Sequence, residues 1–202
     1  MNIGITTSFI VGGLLLLSIL HMNMAVSNNS MQTTMQMTSK NYTKAVSETI
    51  AADVQRMGFQ VAGEEVRDVI LIAESDRIQF KTDLDDDGSV ETITWELTST
   101  EFSKSSNPDD YELVRTGPVK AGGAVNAKSV YPVTSFEVTY YDTRHQDLGS
   151  SPDIEDIDQI GIEIITESPE PITMNGGKKS YGRSFWQRTF VPPSLHIRQA
   201  NK

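Results

Sequence analysis

The sequence predicts an α+β fold in which one long N-terminal helix packs on an antiparallel β-sheet. Three observations lead there. The first fifth of the 202-residue chain, Met1 to Ser39, holds no Lys, Arg, Asp or Glu. Apolar residues then recur at helical spacing as far as Met57. After Gly58 the pattern switches to strict alternation, broken by loops rich in Gly, Pro, Ser and Asp.

The uncharged zone contains the run "FIVGGLLLLSIL". Phe9, Ile10, Val11, Gly12 and Gly13 lead into Leu14, Leu15, Leu16, Leu17, Ile19 and Leu20. With its neutral flanks, Ile3–Val26 is long enough as a helix to span roughly 30 Å of hydrocarbon. Residues 1–27 therefore read as a membrane helix. A cleaved secretory signal is the competing reading, but "MNIGITTS" lacks the basic segment that such signals carry. Gly12 and Gly13 cost a helix in water about 1 kcal/mol each. In lipid the same residues let neighbouring helices approach closely.

Residues 28–58 continue the helix with an amphipathic pattern. Met31, Met35, Tyr42, Val46, Ile50, Val54 and Met57 recur at helical spacing. Lys44 and Glu48 are placed to pair on the exposed side. Gly58 falls where a left-handed cap belongs, with Phe59 beyond it as a hydrophobic contact. The simplest drawing is one helix of about fifty residues. Tyr42, Val46, Ile50, Val54 and Met57 form the stripe that a sheet would cover.

Residues 59–202 read as the β domain. Strands are expected at Val69–Ser75, around "RIQFKTD" and "ETITWEL", at Tyr111–Gly117, Ser135–Asp142 and Gln159–Glu167, and last at Arg183–Val191. Loops are expected at 103–110, 120–129, 143–156 and 168–181. With no helical crossovers between strands, the sheet should be antiparallel. Trp95 and Trp186 fall in strand patterns and read as core or sheet-face residues.

This order of elements resembles the type IV pilin family, in particular minor pilins and pseudopilins of the PilW and GspJ kind. The residues that carry the resemblance are "DVQRMGF" at the helix end, the hairpin "RIQFKTDLDDDGSVETITWEL", the segment "SFEVTYYDTRHQDLGSSPDIEDIDQIGIEI", and "FVPPSLHIR" as a closing strand. The resemblance implies a lollipop shape and a non-enzymatic subunit of a type IV pilus or type II secretion-like filament. It also implies assembly through the N-terminal helix with other pilin-like subunits, and a domain on the periplasmic or extracellular side of a single-pass anchor. The N-terminus departs from the family pattern. No basic residue precedes Gly4, Ile5 follows it, and Phe9 stands at the fifth place after it, where the family has a glutamate. The expectation is a processed or divergent member, or one not matured by the usual peptidase.

Charge and composition narrow the chemistry. A net charge of −10 argues against nucleic acid as a partner. The absence of cysteine removes thiolate sites and disulfides, and His21, His145 and His196 form no ligand pair in sequence. No catalytic constellation or phosphate loop is present, so no small-molecule substrate is expected. The sharpest motif is "DLDDDGSVE". Asp83, Asp85, Asp87, Gly88 and Glu91 follow the spacing of a calcium loop, with the Ser89 carbonyl as a further ligand. Thr94 stands where the bidentate glutamate of that loop belongs, and the flanks are strands. The simpler reading is a solvated hairpin turn. The acidic run Pro152–Asp158 reads as a solvated loop, with partner docking as the sharper alternative. Two further readings stay open: a membrane-tethered binding module, possibly calcium-dependent, that never polymerises, and a secreted enzyme with a cleaved signal.

Overall fold

The computed structural model describes residues 3–61, 69–84, 86–118, 126–173 and 178–195. Helix α1, Ile3–Gln55, runs for 53 residues without a break. At 1.5 Å per residue it is ~80 Å long. The neutral Ser, Thr, Asn and Gln around Asn28 do not interrupt it, because no proline or glycine lies between Gly13 and Gly58. Lys44 and Glu48 pair on its exposed side at 3.8 Å.

The chain leaves the helix at Gly58, whose φ of 74° is the left-handed geometry expected there. The position also has no room for a side chain. A Cβ on Gly58 would lie 2.8 Å from Cβ of Ser194 and 3.1 Å from Cγ1 of Val69. The Gly58 N–H donates to the Lys81 carbonyl at 2.9 Å, tying the helix end to a strand. Phe59 is not the buried contact expected of it. It is 41% exposed, and the Arg56 guanidinium lies 5.4 Å from its ring centre.

Five strands follow as an antiparallel meander: β1 Ile70–Ala73, β2 Arg77–Thr82, β3 Glu91–Glu101, β4 Tyr111–Thr116 and β5 Lys128–Val133. In the expected register, Ile78 faces Trp95 and Phe80 faces Ile93. A second antiparallel sheet places β7 (Gln159–Glu167) between β6 (Ser135–Tyr141) and β10 (Arg183–Phe190). A short hairpin, β8 Ile172–Thr173 with β9 Lys179–Ser180, stands between β7 and β10.

Three features correct the sequence reading. The single sheet is two sheets plus a hairpin, because the chain turns from β5 into β6 at Thr134 and starts a new ladder. Strand β5 was not expected, because Pro132 interrupts its pattern. It is tolerated because β5 is an edge strand, where one row of backbone groups needs no partner. Of the closing segment "FVPPSLHIR", the described residues are Phe190–Leu195, and among these only Phe190 lies in a strand. After it, the Leu195 N–H donates to the Pro192 carbonyl at 3.0 Å, and Leu195 is fully buried.

The core lies between the helix stripe and the inner faces of both sheets. Ile78, Phe80, Ile93, Trp95 and Leu113 come from one sheet, and Phe136, Val138, Ile160, Ile162 and Ile164 from the other. Each such side chain contributes about 1.5–3 kcal/mol by leaving water. The helix runs mainly along β10 and β7.

Candidate functional site

The outstanding surface of the molecule is the first half of α1. Every residue from Ile3 to Thr34 is exposed. Phe9, Ile10, Val11, Leu14, Leu15, Leu16, Leu17, Ile19 and Leu20 are each 49–78% exposed. Nothing lies within 4 Å of a Cβ added at Gly12 or Gly13. A soluble monomer rarely leaves a continuous apolar surface of this extent uncovered. Several hydroxyls in the segment bond back to the helix's own carbonyls. Ser8 donates to the Gly4 carbonyl at 3.0 Å and Ser18 to the Leu14 carbonyl at 2.9 Å, while Thr7 reaches the carbonyls of Ile3 and Gly4. Such back-bonding suits a medium without water. The segment is long and apolar enough to cross a membrane.

The second half of α1 is seated on the sheets. Val46, Ile50, Val54 and Met57 are buried, as the spacing predicts. Tyr42 is not on the stripe. It lies half-buried on the flank, and Ser39 and Thr43 take the inner face one turn nearer the bare half. The reason is hydrogen bonding. Ser39 Oγ donates to the Thr166 carbonyl at 3.0 Å, Thr166 Oγ1 donates to the Ser39 carbonyl at 3.0 Å, and the Thr43 and Thr166 hydroxyls meet at 2.7 Å. Gly182 marks the last close approach: a Cβ there would lie 3.1 Å from the Met35 backbone. Beyond it the helix leaves the domain, and Met31 is 52% exposed.

At the other end of the seat, Asp53 is buried on the same stripe. Its carboxylate accepts from Trp95 Nε1 at 2.9 Å, Arg115 Nε at 2.7 Å and Arg115 Nη2 at 3.1 Å. Arg115 Nη1 also reaches the Gly117 carbonyl at 3.4 Å. Trp95, in the core as expected, stacks on Tyr131 with ring centres 5.6 Å apart. This network joins the helix to β3 and β4. The sequence shows Asp53 only as part of "DVQRMGF" and does not reveal this role. The available signal was a carboxylate sitting at core spacing between Ile50 and Val54. Trp186 is half-buried against the core, 6.3 Å from Phe190.

The acidic hairpin is a self-bonded turn. Asp83 is buried and accepts from the backbone N–H groups of Asp87 at 3.2 Å and Gly88 at 2.9 Å. Glu91 accepts from Leu84 N at 2.9 Å, and Asp87 accepts from Ser89 N at 2.7 Å. Gln60 donates to Asp86 at 2.7 Å. Asp85 lies outside the described residues. Among the described residues, no group of three or more His, Asp or Glu side chains is arranged to hold a metal ion.

The second acidic run is more anchored than a solvated loop. Ile154–Asp156 form a 3-10 turn capped by Asp153; Ile157 and Asp158 are buried. Asp158 N donates to the Tyr141 carbonyl at 2.9 Å. Nearby, His145 is exposed and stacks on Tyr141 with centres 4.4 Å apart. Asp142 accepts backbone N–H bonds from Gln146 and Arg144, and these hold its carboxyl below the ordinary value.

The geometry is that of a long helix, half seated on the sheets and half bare. No protein-family model matches the chain, and no curated protein is significantly similar to it.

Proposed function

We propose that the chain is a membrane-anchored, pilin-like structural subunit of a type IV pilus or type II secretion-like filament, acting by assembly rather than catalysis. The observation that carries this reading is the continuity of α1, whose bare apolar half leads directly into a half seated on the sheets. Ile3–Val26 holds the subunit in the bilayer before assembly. In the filament the same surface packs against the helices of other pilin-like subunits, where Gly12 and Gly13 permit close contact. The β domain then lies on the periplasmic or extracellular side and makes the lateral or tip contacts. A minor or initiating role rests on the resemblance of the domain segments alone.

The test uses the absence of native cysteine. Single substitutions Gly12→Cys, Leu16→Cys and Leu20→Cys are introduced into the full chain in cells that make its filament, followed by oxidation in the membrane. Assembly predicts cross-links to like subunits on one helical face and co-sedimentation with filaments. A chain that stays in the membrane fraction without any subunit cross-link is a tethered module that does not polymerise.

A further inference from the structure

The loop between β3 and β4 is fastened to the other sheet by polar groups. Ser106 donates to the Pro169 carbonyl through its N–H at 2.9 Å and its hydroxyl at 2.8 Å. Asn107 is buried and donates to Glu167 Oε2 at 3.0 Å. Ser105 donates to Asp110 Oδ2, and the Phe102 N–H donates to the Asp110 carbonyl at 2.8 Å. Asp110 is only 1% exposed. Its second oxygen, Oδ1, is buried without a hydrogen-bond partner among the described residues.

A carboxylate held this way is poorly placed. It has one hydroxyl donor, an orphaned oxygen, and negative neighbours in Asp109 on its own loop and Glu167 on β7. Arg183 on β10 stands across the ladder from Glu167. Glu101 and Glu112 lie on the flanking strands, and Lys104 lies exposed in the loop. Burial of the Asp110 carboxyl raises its proton affinity most. The Ser105 bond offsets part of this, and Glu167 and Asp109 raise it further. A neutral acid carries no charge to desolvate, so it fits the site better than the anion does.

We propose that the β3–β4 loop is a pH-responsive clasp on the three-stranded sheet, closed while Asp110 is protonated and loosened when that carboxyl ionises. The sign follows from linkage. The closed form holds the proton to higher pH than the open loop does. The clasp is therefore tightest in acid and weakens as pH rises through the elevated value of Asp110. The anchor on β7 adjoins Thr166, which holds Ser39 and Thr43 of the helix. Loosening thus occurs where the helix leaves the domain.

The test is amide hydrogen exchange on the full chain in detergent micelles between about pH 4 and 8, corrected for intrinsic rates. Protection of the Phe102 and Ser106 amides should fall by up to about tenfold per pH unit as pH approaches the elevated value of Asp110 from below, and level off above it. The carboxyl carbon shift of Asp110 should titrate at the pH where protection levels off. Asp110→Asn should flatten the profile, and Glu167→Gln should move the midpoint to lower pH by removing a like charge. Identical profiles in wild type and Asp110→Asn would overturn the proposal. So would an Asp110 shift whose midpoint differs from the pH at which protection levels off, or a Glu167→Gln midpoint that does not move, and these two readouts decide the matter even if Asp110→Asn fails to fold.

Discussion

The two halves of α1 are one helix with opposite fates. From Ile3 to Thr34 every residue is exposed, although this half holds the most apolar side chains of the chain. From Ser39 to Gln55 the helix is less apolar, yet Val46, Ile50 and Val54 are wholly buried. The difference is pattern. An apolar surface all round offers no single face to a sheet and suits lipid or a bundle of helices. A stripe bordered by Lys40, Lys44 and Glu48 offers one face and keeps the other in water.

The largest effect expected from breaking this comparison is in the seated half. Asp53→Ala leaves the Arg115 guanidinium buried and uncompensated, and should cost about 3–5 kcal/mol in urea unfolding followed by tryptophan fluorescence. Truncation sharpens the comparison further. Ile50→Ala should cost about 2–5 kcal/mol of domain stability, whereas Leu16→Ala should leave the unfolding midpoint of the domain unchanged. A charge reverses the roles. Leu16→Lys should lower membrane insertion by about 3 kcal/mol, read as glycosylation-tagged insertion, while the domain keeps its fold. Lys44→Ala should cost no more than about 0.5 kcal/mol, since its pair with Glu48 is exposed. The smallest effect concerns the acidic turn. With Asp83, Asp87 and Glu91 already bonded to backbone N–H groups, millimolar calcium should leave the melting temperature unchanged, and a clear upward shift would restore the metal reading.

Periodicity made most of the fold legible. Continuity past Asn28, the turn at Gly58 and the alternating strands each depend on local spacing, which a sequence displays directly. What escaped depends on partners far along the chain. Strand β5 exists because β4 supplies its ladder, and Pro132 hides it from a pattern based on isolated strands. Tyr42 yields the inner face to Ser39 and Thr43 because Thr166, more than a hundred residues on, offers hydroxyl and carbonyl together. Asp53 reads as an error in an apolar stripe until Arg115 and Trp95 are brought beside it. The bare apolar surface was visible at once because it has no partner within the domain.

The central claim is that the bare half and the seated half form one rigid rod. Spin labels at Leu20→Cys and Lys44→Cys, in the full chain reconstituted into nanodiscs, measure this directly by pulsed double electron resonance. An unbroken helix places the two backbone sites ~36 Å apart and gives one narrow distance distribution. A broad distribution, or one centred well below that separation, would show a joint near Asn28 and contradict the account.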